Sequence, residues 1–119
     1  MEVKRGQVYF AEMPGAFGSE QGGYRPVVII QNNVGNRFSR TTLIAPLTTS
    51  RTKRKLPTHV LIKARENGLE DDSLVLLEQV RVIDKARLKK YVTYLSDLQM
   101  TEINAAISVS FGIDSLRVV

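Results

Sequence analysis

The sequence predicts a mainly-β barrel that is capped by one α-helix near its C-terminal end. Three observations lead to this class: several short apolar runs of strand length, turn residues between them, and a single apolar stripe at helical spacing close to the end. A chain of 119 residues is long enough to form one compact domain and to bury a core without disulfides. We therefore expect residues 1–119 to form a single domain.

The predicted strands are separated by polar or glycine-containing segments. Residues 8–12 alternate as a short strand. Residues 27–31 (Val-Val-Ile-Ile-Gln) form a continuous apolar run, which is typical of a central strand buried on both faces. Between these strands lies a long loop at residues 13–24, and a polar turn is expected at residues 32–39. Further strands are predicted at residues 41–47, broken near Pro46, and at residues 59–63, 73–80 and 91–95.

The C-terminal helix has recognisable ends. Ser96 is followed three residues later by Gln99, which is the pattern of a capping box. Gly112 is a typical residue to end a helix. Between these ends, apolar residues form a stripe at helical spacing: Leu98, Ile103, Ala106, Ile107 and Phe111.

Composition excludes several kinds of site. The chain has no cysteine, which removes disulfides, thiolate nucleophiles and cysteine-bound metal centres. It has one histidine, His59, so a two-histidine acid–base pair within one chain is impossible. A lone histidine also argues against a multi-histidine metal site. We expect neither a metal nor a cofactor.

The charge balance points to an anionic partner. Lysine and arginine number 17 against 12 acidic residues, which gives a net charge of +5. In a chain this small, such a balance favours nucleic acid ahead of a membrane surface, although basicity can also serve solubility alone. No apolar run approaches the roughly 20 residues needed to span a bilayer. The first six residues do not have the pattern of a secretory signal, so a cytoplasmic protein is expected.

The first polar segment that could bind a ligand or take part in catalysis is the glycine-rich stretch at residues 18–26. Glycines on both sides of Ser19, Glu20 and Gln21 let the backbone approach a ligand and expose its N–H groups. Arg25 is expected to stand immediately before the buried strand, where its guanidinium would be well fixed and could grip a phosphate through two oxygens. The alternative is a glycine hairpin with Arg25 in a structural ion pair.

The second segment is expected to begin where the third strand ends. Thr48, Thr49 and Ser50 offer hydroxyls for phosphate or sugar contacts, although turn capping is the commoner use. A basic run at residues 51–55 follows, which is either a solvated loop or a loop that tracks phosphates. His59 is expected to be a structural hydrogen-bonding residue. Alternation would place Glu78 and Val80 on one face of a strand, and Gln79 and Arg81 on the other.

Four motifs, found in this order along the chain, resemble those of a known family. They are Gly-Ser-Glu-Gln-Gly-Gly-Tyr-Arg-Pro-Val-Val-Ile-Ile-Gln-Asn at residues 18–32, Gly-Asn-Arg-Phe-Ser at 35–39, Lys-Leu-Pro-Thr-His-Val at 55–60 and Leu-Leu-Glu-Gln-Val-Arg-Val-Ile-Asp at 76–84. Together they resemble the MazF/PemK family of toxin endoribonucleases, in particular its Gram-positive branch, over nearly the whole chain. The departures include Arg5-Gly6-Gln7, where the family often has Arg-Gly-Asp, and a different sequence at residues 113–119.

The resemblance implies an SH3-like barrel that forms a homodimer and cleaves single-stranded mRNA at a short sequence, which inhibits translation and growth. It also implies a cognate antitoxin whose acidic C-terminal tail lies along the RNA groove. By motif position, Arg25 and Thr48 are implied to be catalytic. For the proton transfer two alternatives stay open: Glu20 is the general base, or Arg25 acts as the acid while the loop aligns the substrate. The residues implied to contact RNA are Phe17, Ser19, Gln21, Gly22, Thr49, Ser50, Arg51, Lys53, Leu56, His59, Glu78, Gln79 and Arg81.

The reaction implied by this resemblance needs no metal, because the RNA 2′-hydroxyl can attack the adjacent phosphorus. Arg25 could then stabilise charge on the phosphate, and the products would be a 2′,3′-cyclic phosphate and a 5′-hydroxyl. The alternative hypothesis is that the chain is a non-enzymatic gyrase poison of the CcdB kind, which has the same fold. Those toxins need a C-terminal Trp-Gly-Ile ending, whereas this chain has no tryptophan and ends Leu-Arg-Val-Val. A third hypothesis is that the chain is an RNA-binding barrel of the Sm-like kind without enzymatic activity.

Overall fold

The computed structural model describes residues 2–49 and 56–113. The strands of this part are β1 (Gln7–Met13), β2 (Gly23–Ile29), β3 (Thr41–Thr49), β4 (His59–Ile62), β5 (Ser73–Leu76), β6 (Arg81–Asp84) and β7 (Leu88–Tyr94). The helices are α1 (Asn33–Phe38), α2 (Ala64–Asn67) and α3 (Asp97–Phe111), with short 3-10 turns at Leu77–Gln79 and Lys85–Arg87. The predicted mainly-β fold with a C-terminal helix is therefore confirmed.

All the strand pairs are antiparallel, and β3 is the element that joins them. The sheet runs in the order β4, β5, β3, β2, β1, β7, and β6 pairs with β3 as well. The first half of β3 pairs with β6, from Thr41 to Ile44, and its last residues, Leu47 to Thr49, pair with β5. The middle of β3 pairs with β2. One strand thus brings the ends of β2 and β5 together.

The sheet buries apolar side chains on both faces. One cluster lies against α3 and includes Val28, Leu47 and Ile103. A second cluster on the opposite face includes Val27 and Ile29. The continuous apolar run in β2 is therefore buried on both sides, as its sequence predicts.

Helix α3 has the predicted ends but a narrower buried face. The Ser96 hydroxyl accepts from the Gln99 N–H and the Gln99 side chain accepts from the Ser96 N–H, while Gly112 closes the helix in the left-handed conformation at φ 69°. Ile103 and Ala106 are buried, but Leu98 is 74% exposed. Leu98 is about 140° around the helix from Ile103, at 100° per residue, so the two cannot face the same sheet. Leu98 and, in the last turn, Phe111 thus lie outside the buried face of the helix.

Two strands reach further than the sequence predicts. Strand β2 begins at Gly23, so Arg25 lies inside the strand, opposite Ala11, and does not precede it. Strand β3 continues through Pro46 to Thr49. Pro46 lies between the part of β3 that pairs with β6 and the part that pairs with β5. A residue without an N–H donor is tolerated at such a point.

Other segments are less extended than expected. The turn predicted at residues 32–39 contains α1, whose first turn is capped by the Asn32 side chain accepting from the Gly35 N–H. Strand β5 stops at Leu76 and a 3-10 turn follows, so the alternation expected for residues 78–81 is wrong. In the described part of the chain, no helix is long and apolar enough to cross a membrane.

Candidate functional site

A cleft of about 320 Å³ lies where the ends of β2, β3 and β5 meet. Arg25 and Thr48 both line it, although 22 residues of sequence separate them in the chain. The pairing of β2 and β5 with β3 accounts for this approach, because it sets Arg25 beside the end of β3. The remaining lining residues are Phe10, Pro26, Leu47, Thr49, Leu69, Glu70, Asp71 and Ser73.

The Arg25 guanidinium is held in place by the main chain. Its Nε donates to the Gly22 carbonyl at 2.8 Å, and its Nη1 donates to the Leu47 carbonyl at 3.4 Å. Burial lowers the pKa of the Arg25 side chain from its usual value, yet an arginine remains a cation at neutral pH. The result is a partly desolvated positive charge whose direction is set by two strands, which is the arrangement that binds and stabilises a phosphate.

Gly22 is packed too closely for any other residue. A Cβ at this position would lie 2.4 Å from the Ala16 Cβ and 3.3 Å from the Met13 carbonyl oxygen. The side chain could not be accommodated without moving the turn. Since the Gly22 carbonyl accepts from Arg25, this glycine supports the arginine in addition to any contact with RNA.

Two carboxylates on the rim of this cleft were not anticipated from the sequence. Glu70 and Asp71 belong to the charged turn that precedes β5. The cross-strand pair Thr49 and Ser73 brings that turn beside the end of β3. Only the register of β3 against β5 could have signalled them, and the sequence pattern alone does not give that register.

A second cleft, of about 460 Å³, collects many of the residues expected to contact RNA. Glu20 lines this second cleft and is not among the residues that line the cleft of Arg25 and Thr48. The structure therefore does not bring the expected general base together with the expected phosphate-binding pair. The other lining residues are Gly15, Gln21, Glu78, Gln79, Val80 and Arg81.

The glycine-rich loop between β1 and β2 is braced by the turn that follows β5. Gln79 accepts from the Gln21 N–H through its Oε1 at 2.8 Å and donates from its Nε2 to the Ser19 carbonyl at 3.3 Å. Arg81 donates to the Pro14 carbonyl at 3.2 Å. These side chains thus set the shape of the loop through its backbone.

Within the loop, Glu20 and Phe17 are linked. The Glu20 carboxylate accepts from the Phe17 N–H at 2.9 Å, which closes a tight turn. The Phe17 side chain is 84% exposed and is free to contact a ligand. Leu56 and Thr49 are also exposed. Ser50, Arg51 and Lys53, which were expected to contact RNA, lie outside the described residues.

His59 is buried and held at both ring nitrogens. Its Nδ1 accepts from the Leu56 N–H at 3.1 Å, so the ring proton must lie on Nε2, which is 2.9 Å from the Glu78 carboxylate. Burial alone would raise the pKa of Glu78, but hydrogen bonds from His59, from its own main chain and from Thr58 outweigh burial and lower that pKa. His59 therefore has the contacts of a structural residue, as a lone strand histidine predicts.

Metal-ligating side chains are not clustered in the described part of the chain. Across residues 2–49 and 56–113, no three His, Cys, Asp or Glu side chains are grouped so that they could hold a metal ion.

Comparison with known proteins assigns the family. A family profile described as "PemK-like, MazF-like toxin of type II toxin-antitoxin system" matches residues 4–111. The chain is 50% identical over 115 residues to "Endoribonuclease MazF" of Staphylococcus saprophyticus, covering 97% of this chain and 96% of the relative. It is 51% identical over 113 residues to "Endoribonuclease EndoA" of Bacillus subtilis, covering 95% and 97%.

Solved structures support the same assignment. The chain resembles the "Mycobacterium tuberculosis toxin MazF-mt6" with a TM-score of 0.77 and 28% identity, covering 91% of this chain and 98% of the other. It resembles an "Endoribonuclease in complex with its cognate antitoxin from Mycobacterial species" with a TM-score of 0.75 and 27% identity, covering 93% and 96%. With sequence profile, relatives and fold in agreement, the chain belongs to the PemK-like, MazF-like toxins of type II toxin–antitoxin systems, a family of endoribonucleases.

Proposed function

We propose that the chain cuts single-stranded mRNA at a short sequence and so inhibits translation and growth. The observation that carries this proposal is the convergence of Arg25 and Thr48 on one cleft, in a chain that matches a toxin endoribonuclease family over residues 4–111. In this proposal residues 1–119 act as one toxin domain. The protein works in the cytoplasm, where its mRNA substrate is translated.

The proposed reaction uses the substrate's own 2′-hydroxyl as the nucleophile. The 2′-oxygen forms a bond to phosphorus while the bond from phosphorus to the 5′-oxygen breaks, which leaves a 2′,3′-cyclic phosphate and a 5′-hydroxyl. One proton leaves the 2′-oxygen and one arrives at the 5′-oxygen. Because the nucleophile is part of the RNA, the protein needs to align the phosphate, stabilise its added charge and move these two protons.

Arg25 and Thr48 fit the first two of these tasks. The guanidinium of Arg25 is held by two carbonyls and can donate its remaining N–H groups to the non-bridging oxygens as their charge grows. Thr48, at the end of β3 in the same cleft, offers a hydroxyl to the same phosphate. A charged donor contributes more than a neutral one, so Arg25 carries the larger share.

The proton acceptor is best sought on the rim of this cleft. Arginine is a poor proton acceptor at neutral pH because it is already protonated. Glu70 and Asp71 line the cleft, and an ionised carboxylate can accept the proton of the 2′-hydroxyl. We propose that one of these two residues is the general base. Glu20 can take this role only if the loop carries its carboxylate from the second cleft to the first.

The second cleft then serves as the surface that reads the RNA bases. Unpaired bases are recognised through their edges and by stacking. Glu20, Gln21, Glu78, Gln79 and Arg81 line this cleft and offer donors and acceptors for such edges. The exposed Phe17 ring lies in the same loop.

Two partners complete the proposal. The first is a cognate antitoxin with an acidic C-terminal tail, which the net charge of +5 would attract to the RNA-binding surface. A related mycobacterial endoribonuclease has been solved in complex with its cognate antitoxin. The second partner is another copy of the chain. Leu43 and Val82 are opposite one another on β3 and β6 and are exposed, so a partner surface could bury them.

If the chain forms a homodimer, we expect a particle mass of roughly twice 13.3 kDa at micromolar concentration. Light scattering coupled to gel filtration measures this mass directly. A fully active protein that stays at the mass of one chain would contradict the dimer.

Cleavage is expected to be metal-independent and confined to single strands, because the nucleophile belongs to the RNA and bases are accessible only when unpaired. Purified protein is incubated with a long single-stranded RNA with and without EDTA, and in parallel with a duplex of the same sequence. The rates on the single strand should agree, and the duplex should be cut far more slowly. Loss of activity in EDTA, or equal rates on the duplex, would contradict this mechanism.

His59→Ala is expected to retain cleavage but to lower stability. Its two hydrogen bonds tie Leu56 and Glu78 together, and removal of a buried hydrogen-bonded group costs about 1–3 kcal/mol. Urea unfolding measures the free energy of unfolding, and single-turnover cleavage below the unfolding transition measures the rate. A folded variant whose rate has fallen by several orders of magnitude would give His59 a chemical role.

The general base can be identified by isosteric neutral variants. If a rim carboxylate takes the proton, Glu70→Gln or Asp71→Asn should lower the single-turnover rate about 10²- to 10⁴-fold and remove the rise in rate on the acid side of the pH profile. Glu20→Gln, the matched variant in the second cleft, should keep that rise. The opposite pattern would move the base to the loop.

Arg25→Ala is expected to abolish most cleavage while leaving RNA binding largely intact. Phosphate contacts in binding are many and individually modest, whereas loss of one donor to the transition state costs about 10²- to 10³-fold in rate. Thr48→Ala should be impaired less. Single-turnover cleavage is compared with equilibrium binding to an uncleavable 2′-deoxy strand. Equal losses of affinity and rate in Arg25→Ala would make it a binding residue only.

A further inference from the structure

Phe10 and Tyr24 form a stacked aromatic pair on the hairpin of β1 and β2. Their ring centroids are 5.2 Å apart and their planes differ by 14°. Phe10 pairs with Pro26 and Glu12 pairs with Tyr24 in the strand register, so the two rings are diagonal neighbours on one face. Both backbones lie inside strands, which fixes the position and tilt of the pair.

One member of this pair, Phe10, lines the cleft of Arg25 and Thr48, together with Pro26. Tyr24 is the residue before Arg25, and its side chain is 58% exposed. The outer part of the tyrosine ring is therefore open to solvent while the phenylalanine ring supports it from the other side. The ring it stacks on, Phe10, forms part of the wall of the cleft in which a phosphate would be held.

Other exposed aromatic side chains differ in setting. Arg37 lies 5.4 Å from the centroid of the Phe38 ring, on α1. Tyr94 is 52% exposed but lines a different surface cleft with residues of α3. The Phe10–Tyr24 pair is distinguished because Phe10 lines the cleft that holds Arg25.

We propose that Tyr24, supported by Phe10, is a stacking site for an unpaired nucleobase that flanks the scissile phosphate. This inference rests on the proposed function, because Arg25 is taken to hold that phosphate. Every nucleobase has a π-face, so the site adds affinity with little sequence preference. It thereby complements the second cleft, where polar side chains are placed to read base edges.

The energetics favour a preorganised ring. A tyrosine that is already stacked on one side and anchored in a strand loses little conformational freedom when a base covers its other side. Removal of a base-stacking aromatic side chain weakens single-strand binding by about 5- to 150-fold in affinity. The competing role for the pair is to stabilise the β1–β2 hairpin by cross-strand packing, and this role needs no base.

Two probes separate stacking from phosphate binding. The first is a fluorescein-labelled single-stranded dA 12-mer, which presents good stacking bases and cannot be cut because it has no 2′-hydroxyl. The second is a 12-mer of abasic deoxyribose phosphate with the same label and the same charge. Binding of both is measured by fluorescence anisotropy at low salt, where phosphate contacts are strongest.

Four proteins are compared: the wild type, Tyr24→Leu, Tyr24→Phe and Tyr94→Leu. Tyr24→Leu should bind the dA 12-mer about 5- to 150-fold more weakly and the abasic 12-mer as the wild type does. Tyr24→Phe keeps the ring and should bind both probes normally. Tyr94→Leu removes an equally exposed tyrosine elsewhere and should do the same. Thermal unfolding of each variant reports whether the hairpin has been damaged.

The proposal is overturned if Tyr24→Leu binds the dA 12-mer as tightly as the wild type does, or if it loses both probes equally. It is also overturned if the wild type shows no preference for the dA 12-mer over the abasic strand. Cleavage of long RNA by the wild type is assayed in parallel. A wild type that binds bases through Tyr24 but cuts no RNA would refute the proposed function and leave the stacking site standing, whereas active cleavage with unaltered binding by Tyr24→Leu would refute the stacking site alone.

Discussion

The change of neighbours along β3 is the constraint on which the site depends. The first residues of this strand pair with β6 and its last residues pair with β5. Strand β2 pairs with its other edge. The exchange occurs around Pro46, which cannot donate a main-chain hydrogen bond. Because β2 pairs with the middle of β3 and β5 with its end, the Leu47 carbonyl can hold Arg25 and Thr48 can face the same cleft.

The two clefts differ in how the protein positions their side chains. In the cleft of Arg25, Arg25 and Thr48 are carried by strands whose neighbouring residues are buried in the two apolar clusters, so their positions are fixed by the core. The second cleft depends on a loop that is held by side chains from the turn after β5. Under the proposed function, phosphate chemistry, which every substrate shares, would lie on the part built from strands, and base reading would lie on the loop.

The sequence predicts the architecture better than the site. The apolar run in β2 and the capping box at Ser96 both appear in the structure because they depend on local periodicity and local hydrogen bonds. The approach of Arg25 to Thr48 depends on strand register, which local patterns do not encode, and it was expected only through the family resemblance. For the same reason, the sequence does not indicate that Glu70 lines the cleft of Arg25 or that Glu20 lines the second cleft.

The bracing of the loop by Gln79 has a consequence for how such a protein can evolve. The two hydrogen bonds of Gln79 go to the main chain of Ser19 and Gln21 and not to their side chains. Either side chain can therefore be exchanged while the fold of the loop is inherited unchanged. Under the proposed function, the RNA sequence that the loop recognises could then change by single substitutions while Gln79 keeps its contacts with the main chain.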